Sequence, residues 1–227
     1  MAVPARICGA HTPTVIAPLE DMRFRRLLGL KAWSQLPQAV RKRFSRRLGP
    51  GLSVTYRGTV EYCRMNLAGW LLSQLARVIG APLPLYRDEG VAAIVTVTED
   101  GESGGQVWSR LYARHRGFPQ VIHSSKRFAG PTGIEEYLGL GFGIALSVEL
   151  VPGGIRFLSD HFFLRLGSQR LRFPGWLVPL RLAIEHLDCG AGNFTFVLNL
   201  RCRPFGTIIL QRCAFSDGPE KRSPAVA

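Results

Sequence analysis

The sequence predicts an α+β domain built on a strongly curved, barrel-like antiparallel β-sheet of about nine strands, with N-terminal helices and one buried helix. Three observations carry this expectation. From residue 91 onward nearly every segment alternates with period two and ends in turn chemistry: "GESGG", "RGFP", "GPTG", "PGG", "GSQ", "CGAGN" and "RPFG". No helical pattern separates these segments, so consecutive strands pair as antiparallel hairpins. Strands of roughly ten residues also exceed the usual length, which suits a curved or closed sheet.

Residues 1–20 show no usable periodicity and are expected to form a loose N-terminal tail, with 217–227 its C-terminal counterpart and a single domain over 21–216. "DMRFRRLLGL" predicts a short helix capped by Asp21. "WSQLPQAVRKRFSRRLG" predicts a second, with Ser34 as cap, Pro37 in the first turn and Gly49 as stop. Its apolar residues Leu36, Val40, Phe44 and Leu48 recur every four positions and form one stripe. "LSVTYRGTVEYCR" then reads as a strand. "NLAGWLLSQLARVIG" returns to helix, with Leu67, Trp70, Leu71, Leu72, Leu75, Val78 and Ile79 around most of its circumference, so most of it is expected to be buried. Further strands are expected over 91–100, 106–116, 119–129, 142–151, 154–166, 181–189, 193–202 and 206–215. Only "LRFPGWLVPL" breaks the rhythm.

Composition narrows the function classes. Hydrophobic residues make up 46% and charged residues 20%, the profile of a packed domain. No apolar run approaches the roughly 20 residues of a membrane-spanning helix, and the N-terminus lacks the basic start and apolar core of a secretory signal. The five cysteines have no CxxC spacing, which argues against a disulfide framework or a thiolate zinc site and for a reducing, cytoplasmic setting. The net charge of +13 is uneven: residues 21–50 hold nine basic residues against the single acid Asp21. Arg41, Lys42, Arg43, Arg46 and Arg47 form its densest part. No helix-turn-helix, zinc finger or RNA-binding signature accompanies them, so nucleic acid is disfavoured. An anionic membrane surface needs only a basic amphipathic helix and apolar side chains to insert, which Phe173, Trp176 and Leu177 could supply.

Two stretches carry chemistry. In "VWSRLYAR", Trp108, Arg110, Tyr112 and Arg114 share one face, and Val107, Ser109, Leu111 and Ala113 share the other. The small aliphatic set resembles a core face. The aromatic–guanidinium ladder is then either a solvated, stacked surface or one wall of a cavity, with Arg110 holding a ligand's acid group. In "LAIEHLDCG", His186 and Asp188 lie two apart on one face, near enough for an acid–base pair, or for Asp188 simply to cap the following turn. Asp160 and His161 are adjacent and expected to point to opposite faces. The histidines show no HxH or HExxH spacing, so no metal is expected. The absence of Walker, GxGxxG and GxSxG signatures leaves no cofactor to expect either.

The segment "EHLDCGAGNFTFVLNLRCRPFGTIILQRCAFSD", with "VWSRLYAR" and "RFRRLLGLKAWSQLP" upstream, resembles the bacterial family named domain of unknown function 4166 over roughly residues 22 to 216. The motifs occur in order: Trp108 and Arg110, "PGWLVP", His186 and Asp188 before a glycine-rich turn, then Gln211 and Phe215. Arg203-Pro204 stands where the family has His-Pro, and Thr207 where an acid is common. Some members are joined to a nucleotide-binding oxidoreductase domain. The resemblance therefore implies a ligand-handling role and a partner domain of that kind, for which these 227 residues leave no room.

The leading expectation is a non-catalytic binding module for a small lipophilic or acid-bearing ligand. Trp108, Arg110 and Tyr112 would form a wall, with His186, Asp188 and Gln211 as polar anchors. Two rivals stay open: an enzyme using His186 and Asp188 as acid–base pair, and a peripheral membrane or nucleic-acid binder acting through the basic helices.

Overall fold

The computed structural model describes residues 19–49 and 52–217, so both expected tails fall almost wholly outside the described residues. Three short helices come first: α1 (Arg23–Leu28), α2 (Leu30–Gln35) and α3 (Gln38–Phe44). A two-stranded ribbon flanks them, in which β1 (Leu19–Glu20) pairs with β2 (Arg46–Arg47). The expected second helix is thus divided. Pro37 stands at the cap of α3 rather than inside it, and the ribbon ends α3 at Phe44. The predicted stripe survives this division, because Leu36, Val40, Phe44 and Leu48 are all buried.

The chain then forms β3 (Ser53–Met65), α4 (Leu67–Leu75) and a 3-10 turn over Ala76–Ile79. Six strands follow: β4 (Ala92–Asp100), β5 (Gly105–Tyr112), β6 (Gln120–Arg127), β7 (Ile134–Gly139), β8 (Phe142–Val151) and β9 (Gly154–Leu166). The last four are β10 (Gln169–Arg172), β11 (Leu180–Gly190), β12 (Asn193–Cys202) and β13 (Gly206–Ser216). The alternation read from the sequence places most of these to within two residues. It misses β7, which is short and hemmed in by glycine turns, and the small flap β10.

All the long strands join one antiparallel ring. The order β9-β11-β12-β13-β3-β4-β5-β6-β7-β8 is closed by the pairing of β8 with β9, giving a barrel of ten strands with β10 folded beside β9. Closure removes the sheet edges that would otherwise invite association.

The two ends of the barrel are treated differently. At one end α1–α3 form a plug: the ring of Phe24 meets Phe44 and Phe128 edge-on at 5.0 Å each, and Phe44 in turn meets His186 inside the barrel at 5.1 Å. At the other end α4 starts beside β13, where Asn66 caps it by accepting from the Gly69 N–H at 2.9 Å. The 3-10 turn ends over the β7–β8 hairpin, and β13 and β7 lie five strands apart either way round the ring. The segment therefore spans the mouth along a diameter, as a lid. Two glycines let it sit close: a Cβ on Gly69 would run into the Ile208 carbonyl, and one on Gly139 (φ +143°) into the Ile79 carbonyl.

The lid corrects the expectation of a buried helix. Only Gly69 and Ser73 of α4 are buried, while Leu67, Trp70, Leu71, Leu75 and Val78 are exposed. A helix lying across an opening turns only its inner side to the interior, here half-buried Leu72, Ala76 and Ile79 on the cavity, whatever the composition of its outer side.

Gly69→Ala tests the lid's seat. Helix propensity alone would make this change stabilising by roughly 1 kcal/mol. The collision with Ile208 predicts a loss of about 1–3 kcal/mol instead, read as a lower thermal midpoint. A higher midpoint would show that the lid does not rest on β13.

Candidate functional site

In β5 the face carrying Trp108, Arg110 and Tyr112 looks inward, and the small aliphatic face looks out. Arg110 and Tyr112 are 6% exposed each, whereas Ser109 on the outer face meets His123 Nδ1 at 2.9 Å among exposed groups. This reverses the core face expected from residue size. The reason lies on the neighbouring strands, whose inward positions supply partners that an isolated reading of β5 cannot see. Arg114 lies beyond the strand, 3.3 Å from the Tyr86 ring centroid and paired with Asp88, outside the wall.

Arg110 donates from Nη1 to Ser124 Oγ at 3.0 Å, and Ser124 donates to Glu136 Oε1 at 2.6 Å. Lys126 faces Glu136 directly across the β6–β7 pairing, with Nζ 3.1 Å from Oε2; Arg110 Nη2 lies 3.5 Å from Oε1. All three ionic side chains are buried. Burial by itself would raise the Glu136 carboxyl. The Lys126 ammonium, the Arg110 guanidinium and the Ser124 hydroxyl reverse that effect and hold it at about 2. Burial outweighs Glu136 at Lys126 and lowers the ammonium below its ordinary range. Two cations thus share one carboxylate, and no other acid among the described residues forms an ion pair with either. Lys126, Ser124 and Glu136 were missed at the sequence level. The signal was available: Gln120, Ile122, Ser124 and Lys126 alternate on β6, and Ile134, Glu136 and Leu138 on β7.

Between this cluster and the lid lies a cavity of about 230 Å³. Its polar lining is Arg110, Tyr112, Ser124, Glu136 and Gln211; the rest is apolar, including Leu72, Leu83, Phe142, Phe173 and Phe196. Gln211 stands on β13 opposite Cys63 of β3 and is 4% exposed, and its amide has no hydrogen bond among the described residues. Phe173, expected on an insertion loop, instead stacks on Phe142 at 6.0 Å within the cavity wall. Gln120 fixes the strap after the lid, donating to the Leu83 carbonyl at 2.8 Å and accepting from the Leu85 N–H at 2.9 Å.

His186 and Asp188 belong to the plug, not to the cavity. The parity read from the sequence holds, since both point inward on β11, but the two form no hydrogen bond with each other. His186 stacks on Phe194 at 4.5 Å, and its Nε2 has no partner. Burial first, and Arg43 second, push its pKa down to about 3, so it is neutral in the fold. Asp188 pairs with Arg43 at 3.5 Å. Arg43 also binds Asp217 at 2.7 Å and lies 4.3 Å over the Phe194 ring. Of the basic patch, Arg43 is therefore a buried brace and Arg47 lies 3.8 Å from Glu99, while Lys42 and Arg46 are exposed and Arg41 is half-buried.

Asp160 and His161, expected on opposite faces, are hydrogen-bonded at 2.6 Å. Ser159 and His161 pair with consecutive residues of β8, leaving Asp160 unpaired in a bulge, and alternation fails there. The buried thiols of Cys63 and Cys213 are pushed up to about 11 and about 12 by burial, which makes them inert core groups. Among the described residues no helix is long and apolar enough to cross a membrane.

Fold and site together define a closed β-barrel, plugged by helices at one end and lidded at the other, around an apolar cavity that ends on buried charges. The chain belongs to the family described as Domain of unknown function (DUF4166), whose model matches residues 36–215, a span that contains the lid and every cavity residue named above. No curated protein matches it.

Two predictions follow from the electrostatics. His186 and Glu136 both have folded-state pKa values below their ordinary 6.5 and 4.5, so each contributes stability that is lost as pH falls, His186 towards about 3 and Glu136 towards about 2. His186→Phe should change stability at neutral pH by less than about 1.5 kcal/mol. It should also flatten the fall between pH 6.5 and 4.5, measured by urea denaturation across pH; an unchanged slope would mean that the imidazole protonates within the fold. Glu136→Gln should cost about 3–5 kcal/mol by leaving two buried cations unpaired. Adding Lys126→Met, which restores the native net charge of the cluster, should recover part of that loss.

Proposed function

We propose that the protein binds a small amphiphile with one anionic head group. The head would lie at Arg110 beside the Gln211 amide, and the apolar body would fill the cavity towards the lid. The observation that carries this reading is the charge count at the inner end of the cavity. Among the described residues Arg110 and Lys126 form ion pairs with Glu136 alone, and Gln211 presents an unpartnered amide to the same space. Buried charges are stable when paired and hydrogen-bonded, so one further anion is what the cluster lacks. A carboxylate accepts well from a guanidinium and an amide N–H together.

The remaining lining supports the apolar body. It is aliphatic and aromatic, and its volume of about 230 Å³ exceeds that of the roughly 150 Å³ apolar cavity known to stay dry and admit benzene. The reading needs no turnover. His186, which lies in the barrel interior two residues from Asp188, is neutral, stacked and outside the cavity lining.

The test is calorimetric titration with octanoate and octanol, which share a chain and differ in head charge. Octanoate is expected to bind more tightly, and Arg110→Gln to weaken it roughly 10- to 100-fold, the range of a charge-assisted hydrogen bond, with little effect on octanol. The variant keeps the balanced Lys126–Glu136 pair, so it should fold. Equal binding of both compounds, or unchanged octanoate affinity in the variant, would overturn the reading.

A further inference from the structure

The outer side of the lid carries an apolar stripe that the fold leaves uncovered. Leu67, Leu71 and Leu75 follow one another at helical spacing, with Trp70 and Val78 beside them; Leu67, Leu75 and Val78 are 70–77% exposed. The turns at the same end of the barrel add to it. Leu140 lies in the β7–β8 turn, Trp176 and Leu177 just before β11, and Phe205 in the β12–β13 turn, with Trp176 81% exposed. These turns are neighbours in space: the Arg203 N–H donates to the Pro179 carbonyl, and the Asn66 amide lies 3.4 Å from the Phe205 carbonyl. Large exposed apolar patches rimmed by polar residues mark interaction sites.

Charge narrows the partner. The segments that build this end, residues 66–87, 138–143, 164–184 and 200–210, contain eight arginines and neither Asp nor Glu. Asp88 and Glu89 border it on the β4 side and are engaged with Arg114 and the Cys63 N–H. A second copy of the chain, docked face to face by a two-fold axis, would bring these cationic rims together. An anionic partner would neutralise them. The apolar stripe further asks for a partner that accepts several inserted side chains at once, and it lies directly over the cavity mouth.

We propose that the lidded end docks on an anionic lipid bilayer, so that the amphiphile enters and leaves the cavity at the membrane surface. The direction of transfer rests on the binding reading above; the docking itself does not. Leu67, Leu75, Trp176 and Phe205 insert at the headgroup level, and Arg77, Arg172 and Arg203 meet the lipid phosphates. This site shares Trp176 with the membrane surface expected from the sequence, but takes its cations from the lidded end rather than from the basic helices. Those helices plug the far end of the barrel, separated from the Trp176 turn by the 11 residues of β11, about 36 Å along the strand at roughly 3.3 Å per residue.

Vesicle flotation tests the proposal, with phosphatidylcholine alone and with added phosphatidylglycerol. The full chain is expected to float with the anionic vesicles and to be released by salt. Leu67→Asp with Leu75→Asp should reduce binding at least tenfold by removing inserted apolar area. Arg77→Gln with Arg203→Gln should reduce it by about fivefold per arginine. Both pairs are exposed, so folding should be unaffected, as circular dichroism would verify. Arg41→Gln with Arg46→Gln, at the plugged end, should change nothing.

Three outcomes would overturn the proposal: no flotation of the wild type, loss of binding only in the Arg41/Arg46 variant, or a wild-type dimer that ignores vesicles and is split by the leucine variant. The two readings fail separately. Octanoate binding without flotation removes the docking alone, and flotation that survives when octanoate fails to bind removes the binding reading alone.

Discussion

Ten strands closed into a ring enclose more space than their own side chains can fill. Eight-stranded barrels are just filled by their interior residues, and each added strand widens the tube. Here the surplus is divided lengthwise. At one end it is taken up by an aromatic stack in which Phe24, Phe44, His186 and Phe194 meet edge-on or face-on, braced from outside by Arg43 on Asp188 and Asp217. At the other end a single helix crosses the opening, one helix diameter of cover over a wide mouth. The space between plug and lid is left open as the cavity. Its position follows from closure of the β8–β9 pair, since a sheet left open there would have no inside to line.

The same closure explains why charges sit in the middle of the molecule. β5, β6 and β7 are consecutive in the ring, so their register sets Arg110, Ser124, Lys126 and Glu136 side by side on one face, and closure makes that face the interior. An apolar set of the same volume would be at least as stable there, because the attraction within a buried ion cluster seldom exceeds the desolvation it requires. A polar cluster in this position is a departure from the packing that stability alone favours, and such departures concentrate at functional sites. The plug shows the contrasting case: its histidine is kept neutral among aromatics, and its buried arginine is matched by two carboxylates, Asp188 and Asp217.

The sheet was legible in the sequence because strand length, alternation and glycine-rich turns are local signals. The stripe Leu36-Val40-Phe44-Leu48 was legible for the same reason. What escaped was set by relations between strands. Trp108, Arg110 and Tyr112 could be assigned to one face from their spacing, but which face is inside depends on Lys126 and Glu136, residues on the next two strands of the ring that a reading of β5 by itself does not include. Helix α4 shows the complementary error: its apolar composition read as burial, whereas the geometry of a lid exposes half of it. Asp160 and His161 mark the limit of parity, since one bulged residue puts neighbours on the same side. His186 and Asp188 were placed on one face correctly, yet Arg43, far off in sequence, determines that they do not act on each other.

The buried cluster has two ways to reach neutrality, and they involve different atoms. One is loss of a proton from Lys126, whose ammonium burial already destabilises. The other is arrival of an anion at Arg110, which lines the cavity as Lys126 does not. A guanidinium, unlike an ammonium, stays charged throughout the range in which proteins fold. The division of labour follows from that difference. The lysine, held 3.1 Å from Glu136 and 5.0 Å from the Trp108 ring, is the adjustable charge set back in the wall. The arginine, tied to Ser124 by one nitrogen and 3.5 Å from Glu136 by another, is the permanent charge turned towards the open space. A lysine in the place of Arg110 could escape its imbalance by deprotonation and would then hold no anion. On the binding reading proposed above, the fixed charge of the guanidinium is what would make the inner end of the cavity select an acid.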